Sequence, residues 1–216
     1  MAFLGFVASS ELHNLLVRSL REKNSSQNLV DIRNHLIELL LKEHINALFI
    51  PIQENLDRPT VQASIAKLQR YIESVIDDLL RHLCLPCSNK QAKLAVNFLS
   101  QHLITQTSGS TIVGTELPSF LSTNLNDMFA QICSGKKIDK ALVIENYKQL
   151  SEFLIRHYIY TLSIEFNLSM SERKTVDQHI TQLTQAIYPF LEQWFIELSK
   201  TELSHLARAH KCLIFN

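Results

Sequence analysis

The chain has 216 residues, of which 46% are hydrophobic and 19% charged, and its 21 basic and 21 acidic residues leave no net charge. This composition excludes an intrinsically disordered chain, and the zero net charge argues against nucleic-acid binding, which favours a basic face. Four glycines and five prolines are too few for the tight turns of an all-β protein. We therefore expect an all-α protein, a single multi-helical bundle that forms one domain over residues 1–216.

The sequence also contains weak signals about location. No apolar stretch reaches the roughly 18 residues of a membrane-spanning helix. Four cysteines are too few for a secreted disulfide scaffold of this length. The apolar start of the chain lacks the basic residues of a signal peptide. We therefore expect a cytoplasmic protein with no membrane span, no nucleic-acid partner and a monomeric or weakly dimeric state.

Apolar residues recur at helical spacing along most of the chain and predict about seven helices. Ser9 or Ser10 can cap the first helix, Pro51 stops or kinks the second, and Ser169 with Glu172 has the spacing of a capping box before the last. The predicted boundaries are about 10–22, 29–50, 60–83, 89 into a glycine-containing segment, 119–133, 139–166 and 171–209.

The segment from Thr105 to Gly114 contains two of the four glycines, Gly109 and Gly114, between apolar residues. A glycine in a helix costs about 1 kcal/mol relative to alanine, but it lets another group approach the backbone closely. Two interpretations are open. The segment is either a loop between two helices or a kinked helix that packs against a planar ligand.

Several residues have the chemistry of metal ligands. His13 lies beside the apolar face of the first helix, where an imidazole is either a metal or heme ligand or a partly buried core residue. The segment from His82 to Cys87 offers zinc-ligand types, and Glu202 with His205 has the spacing found in di-iron bundles. The first of these two patterns lacks a second cysteine or histidine pair to complete four zinc ligands. The other lacks the second Glu-x-x-His motif that a di-iron site requires.

Two short motifs resemble the heme oxygenase family, the enzymes that produce biliverdin. The segment Ala8-Ser-Ser-Glu-Leu-His13 is similar to the opening of those enzymes, where the histidine is the proximal heme ligand. The segment Ser108-Gly-Ser-Thr-Ile-Val-Gly114 is similar to the motif of the bacterial members that forms a kinked distal helix over the heme. The resemblance implies a heme oxygenase-like helical fold over nearly the whole chain.

The resemblance also implies a set of site residues. His13 corresponds to the axial ligand of the heme iron, and Lys148 corresponds to a lysine that meets a heme propionate. The distal wall corresponds to Gly109, Ser110, Val113 and Gly114, which lie where the family positions iron-bound oxygen for attack on the ring.

The implied function is binding of heme as both ligand and substrate, and its cleavage to biliverdin, iron and carbon monoxide. Electrons would come from a reductase or a ferredoxin-type donor. The sequence departs from the family at Val113, where the motif has a glycine, and at Glu152, where some members have an arginine. These departures favour an alternative, a non-catalytic protein of the same fold that acts as a helical adaptor or a small-ligand-binding module.

Overall fold

The computed structural model describes residues 2–24, 28–54, 56, 58–83, 87–102, 104–107, 109–160 and 168–215. Within these ranges the protein is mostly helical, as the sequence predicted. The helices are α1 (Ser10–Glu22), α2 (Val30–Glu54), α3 (Pro59–Leu83), α4 (Asn89–His102), α5 (Ser119–Cys133), α6 (Lys140–Ile155), α7 (Met170–Glu197) and α8 (Lys200–Lys211). None of the helices in the described part of the chain is long and apolar enough to cross a membrane.

The described residues also form a four-stranded sheet, which the sequence did not predict. Its strands are β1 (Phe3–Val7), β2 (Ile104–Thr107), β3 (Ser110–Glu116) and β4 (Ile214–Phe215). Their order is β2-β3-β1-β4, and every neighbouring pair is antiparallel. The sheet therefore joins the start, the middle and the end of the chain.

The glycine-containing segment is a β-hairpin, so the prediction of a kinked helix is wrong. Helix α4 ends at His102, and β2 then pairs with β3 from Ile104↔Val113 to Thr107↔Ser110. The run of β-branched side chains at residues 111–113 favours an extended strand over a helix. Gly109 has φ of +86°, which a tight turn between two strands requires.

Gly114 has a different structural role, because it allows two strands to approach closely. It lies opposite Gly5 in the pairing of β3 with β1. A Cβ at Gly114 would lie 2.0 Å from the carbonyl oxygen of Leu4 and 2.4 Å from the Cα of Gly5. The bare backbone at this position is therefore covered by the neighbouring strand and not by a flat ligand.

Some helices end differently from the prediction, and the first of these is α2, which continues through Pro51 to Glu54. The sixth helix becomes a π-helical turn at Arg156–Tyr160, and residues 161–167, where it was expected to continue, lie outside the described ranges. The predicted last helix is divided into α7 and α8. The first ends at Glu197 with Leu198 as its C-cap, and Ser199 and Glu202 then form the capping box that starts α8.

A continuous core connects the helices to the sheet. Helix α7 packs against α3 and α6, while α2 packs against α1, α3, α4 and α8. The core cluster includes the strand residues Leu4, Phe6 and Val113. The sheet is therefore part of the same packed interior as the bundle.

We predict that Gly114→Ala destabilises the protein much more than Gly109→Ala. The first substitution places a Cβ against backbone atoms, so we expect a loss of about 3 kcal/mol or more in unfolding free energy. The second meets open space and carries only the strain of a positive φ, about 1–2 kcal/mol. Urea unfolding of both variants measures the difference. Equal losses would contradict the close β1–β3 approach.

Candidate functional site

The structure places His13 in direct contact with the hairpin, whereas the two were expected to lie on opposite faces of a heme. The Nδ1 atom of His13 lies 2.9 Å from the hydroxyl oxygen of Thr111, the residue after Ser110 in β3. The backbone amide of Ala8 also donates to the carbonyl of Thr111 at 2.9 Å. These bonds attach the start of α1 to the sheet.

Lys148 lies on α6 and its described contacts are with α7. Its Nζ is paired with the carboxylate of Glu192, and it lies 5.2 Å from the centre of the Tyr188 ring. Glu152, one turn later, is paired with Arg156 at 2.9 Å and accepts a hydrogen bond from Tyr188 at 3.1 Å. These charged side chains thus stabilise the α6–α7 interface.

This arrangement does not fit heme. A heme site needs an imidazole on one face of the ring and an accessible backbone on the other, with room for the ring between them. Here the imidazole of His13 is within hydrogen-bond distance of the segment that was expected to form the opposite wall. Val113, which was expected to face the ring, is fully buried in the sheet between Phe6 of β1 and Ile104 of β2.

The other metal-ligand patterns do not form a site in the described residues either. Glu202 caps α8 and lies 3.0 Å from the guanidinium of Arg58, while His205 is exposed. No group of three or more histidine, cysteine, aspartate or glutamate side chains suited to a metal ion occurs in the part of the chain that the structure describes. Residues 84–86, in the middle of the segment from His82 to Cys87, lie outside that part.

A different site lies inside the bundle. A cavity of about 180 Å³, here named the central cavity, is bordered by α2, α3, α6 with its π-helical turn, α7 and the end of α8. Leucine and isoleucine side chains make up most of its lining. On α3 they occur at helical spacing, at Ile65, Leu68, Ile72, Ile76 and Leu79. The same apolar periodicity that predicts the helix therefore produces the wall of the cavity.

Irregular turns occur in three of the helices that border the central cavity. Pro51 lies inside α2, Pro189 lies inside α7, and the π-helical turn follows α6. Proline and π-helical turns bend a helix or shift its side chains out of the regular ridge pattern. Regular ridges pack closely, so these interruptions give a physical reason for the space that remains.

A buried histidine–tyrosine pair forms part of the cavity wall. The hydroxyl of Tyr158 lies 3.2 Å from Nδ1 of His44. Burial, and secondarily the charge of His157, lowers the pKa of His44 to about 4, while burial raises the pKa of Tyr158. The rings of Phe6 and Tyr158 pack against the imidazole with centroids at 5.6 and 4.6 Å, which fixes its orientation.

A second pair at the cavity is fully hydrogen-bonded. The Nε2–H of His210 donates to the carbonyl of Leu48 at 3.0 Å, and the Tyr147 hydroxyl then donates to Nδ1 of His210 at 2.8 Å. Burial lowers the pKa of His210 to about 4 and raises the pKa of Tyr147. This pair connects α2, α6 and α8.

Two polar atoms at the cavity have no hydrogen-bond partner in the described residues. They are Nε2 of His44 and the indole Nε1 of Trp194. An unsatisfied buried donor costs about 1–3 kcal/mol, so each atom favours a ligand that can accept a hydrogen bond. Neutral histidines with a pKa near 4 are poor general bases at neutral pH. The arrangement therefore supports binding more than acid–base catalysis.

The position of His44 in the sequence is a signal for this site. His44 lies four residues after Leu40 and four before Leu48, so it shares the apolar face of α2. Trp194 and Tyr158, which also border the cavity, are both buried. A histidine inside an apolar face indicates burial, but sequence alone does not show whether its second nitrogen has a partner.

Comparison with models of known protein families, with curated proteins and with solved structures finds no match to this chain. The fold and the site define a mostly helical protein with a small sheet and an apolar cavity that contains neutral polar groups.

We predict that stability falls between pH 7 and pH 5 because of His44 and His210. Both have a native pKa of about 4, below the ordinary value of 6.5. The unfolded chain therefore binds protons below pH 6.5 while the folded protein does not, so stability is full above pH 6.5 and is lost as the pH falls towards 4. We expect a loss of about 2 kcal/mol for each histidine at pH 5.

Urea unfolding at pH 7 and pH 5 measures this loss. The variant His44→Gln should lose about half of the pH dependence, because the contribution of His210 remains. An unchanged pH dependence in the variant would show that His44 does not titrate as its burial implies.

Proposed function

We propose that the protein binds a small apolar molecule in the central cavity. The observation that carries this proposal is the volume of about 180 Å³ bordered almost entirely by leucine, isoleucine and aromatic side chains. An engineered cavity of about 150 Å³ with a similar lining stays dry and binds benzene or xenon. A ligand of about one aromatic ring is therefore the scale that the cavity accommodates.

The energetic cost of the cavity supports the same proposal. Unfilled core volume destabilises a protein by about 24 cal/mol per Å³, so a cavity of about 180 Å³ corresponds to about 4 kcal/mol. Native domains of ordinary size have a total stability of about 5–15 kcal/mol. An occupant restores the missing van der Waals contacts and recovers part of that free energy.

The rival hypothesis is a heme oxygenase-like protein that binds heme through His13. It is supported by the resemblance of two short motifs, while the direct contact between His13 and the hairpin argues against it. It carries with it heme as cofactor, an electron-donor partner and a cytoplasmic location, all of which stay predictions from the sequence.

We predict that the cavity-filling variant Leu154→Phe abolishes binding of ethylbenzene. In the wild type, ethylbenzene at about 100 times its Kd should raise the melting temperature by roughly 5–10 °C, because it binds only the folded state. Leu154 borders the cavity on α6, so the larger ring occupies the ligand space.

Leu142→Phe is the matched control, since Leu142 lies on the same helix and is 49% exposed. Its response to ethylbenzene should equal that of the wild type. Thermal unfolding followed by circular dichroism measures all three proteins. A wild type whose melting temperature does not respond to ethylbenzene or to a xenon atmosphere would refute the proposal.

We predict that addition of haemin produces no Soret shift that depends on His13. The imidazole of His13 is bonded to Thr111, and the wall expected on the other side of the ring is already in contact with it. Optical titration of the wild type and of His13→Ala tests this. A Soret band present in the wild type and lost in the variant would favour the rival hypothesis.

A further inference from the structure

We infer that the ligand of the central cavity is an uncharged molecule with a hydrogen-bond acceptor, such as a carbonyl oxygen, and that Nε2–H of His44 donates to that acceptor. This inference rests on the proposed function and names the class of ligand.

Neutral His44 carries its proton on Nε2. The Tyr158 hydroxyl must donate its hydrogen, and the acceptor available to it in the described structure is Nδ1 of His44, at 3.2 Å. Burial raises the pKa of Tyr158, so the hydroxyl keeps its proton at neutral pH. An imidazole that accepts at Nδ1 and is neutral carries its hydrogen on Nε2. His44 is therefore a donor at Nε2.

The residue that carries this donor is buried in the wall of the central cavity. His44 is 8% exposed, borders the central cavity, and has no partner for Nε2 among the described residues. The imidazole of the other buried pair, His210, is already bonded on both sides, to Tyr147 and to Leu48. Of the two histidines at the cavity, His44 is thus the one with a donor available to a ligand.

The described lining of the cavity has no charged group to pair with an ionised ligand. No lysine, arginine, aspartate or glutamate is among the described residues that border the cavity. Burial keeps the pKa of His44 near 4, so His44 is neutral at pH 7. An ionised carboxylate would lose its hydration in the cavity without gaining a counter-charge, which is strongly unfavourable. The acceptor is therefore neutral, and a carbonyl fits better than a carboxylate.

Trp194 provides a second donor at the cavity, its indole Nε1–H, which also has no partner in the described residues. Trp194 additionally borders a separate surface depression with Thr60 and Ser64. Trp194 thus borders two spaces, whereas His44 borders the central cavity, so we assign the donor to His44.

Three probes of similar shape test the inference: ethylbenzene, acetophenone and benzoate. Isothermal titration of the wild type and of His44→Phe gives the Kd of each probe. We expect the preference for acetophenone over ethylbenzene to fall roughly fivefold in His44→Phe, the effect of one net hydrogen bond. Ethylbenzene should bind both proteins similarly, and benzoate should bind neither.

His205→Phe is the matched control, because it makes the same change at an exposed histidine that does not border the cavity, and it should keep the wild-type preference. His44→Gln retains an N–H donor and should keep most of it. Acetophenone should also shift the Nε2–H resonance of His44 in the wild-type ¹H–¹⁵N NMR spectrum, and this readout needs no variant.

The outcomes separate the two proposals. If ethylbenzene binds but the preference for acetophenone is the same in His44→Phe, or if benzoate binds best, the ligand class is wrong and the apolar site stands. If none of the three probes binds the wild type, both proposals fail.

Discussion

The pairing of β1 with β3 is the constraint on which the rest of the architecture depends. It connects the first strand to the middle of the chain, and β1 also pairs with β4 near the end. The close approach requires two glycines opposite each other, Gly5 and Gly114, because a Cβ at either would meet backbone atoms. This pairing also brings Phe6 against the imidazole of His44. The sheet thus contributes directly to the geometry of the cavity wall.

The central cavity destabilises the core in two ways, while a hydrogen-bonded pair in its wall stabilises the same region. Its volume reduces van der Waals contact in the core, and its buried donors at His44 and Trp194 lose hydration without a protein partner in the described structure. The fully bonded pair of Tyr147 and His210 stabilises the same region and joins three helices. A neutral, mostly apolar ligand with one acceptor would reduce both costs, because it fills the volume and satisfies one of the two donors.

The residues that resemble heme oxygenase motifs have structural roles in this fold. Ser9 caps α1, and His13 attaches that helix to Thr111 of the sheet. Gly109 provides a turn and Lys148 links α6 to α7. A serine cap followed by a histidine, or a pair of glycines among β-branched residues, is compatible with several folds. Short motifs of this kind therefore do not define a site until their spatial relation is known.

The sequence by itself determined the helical class and most helix positions, because apolar periodicity, the cap at Ser9 and the capping box at Ser169 are local features. The sequence did not predict the sheet, because its central pairing joins residues about a hundred positions apart. It also did not predict the helix start at Ser199, because that capping box lies within a long apolar pattern. Only the tertiary structure decided that His44 faces a cavity with a donor that has no described partner. Burial and hydrogen-bond satisfaction depend on how separate helices pack, and no periodicity within one helix contains that information.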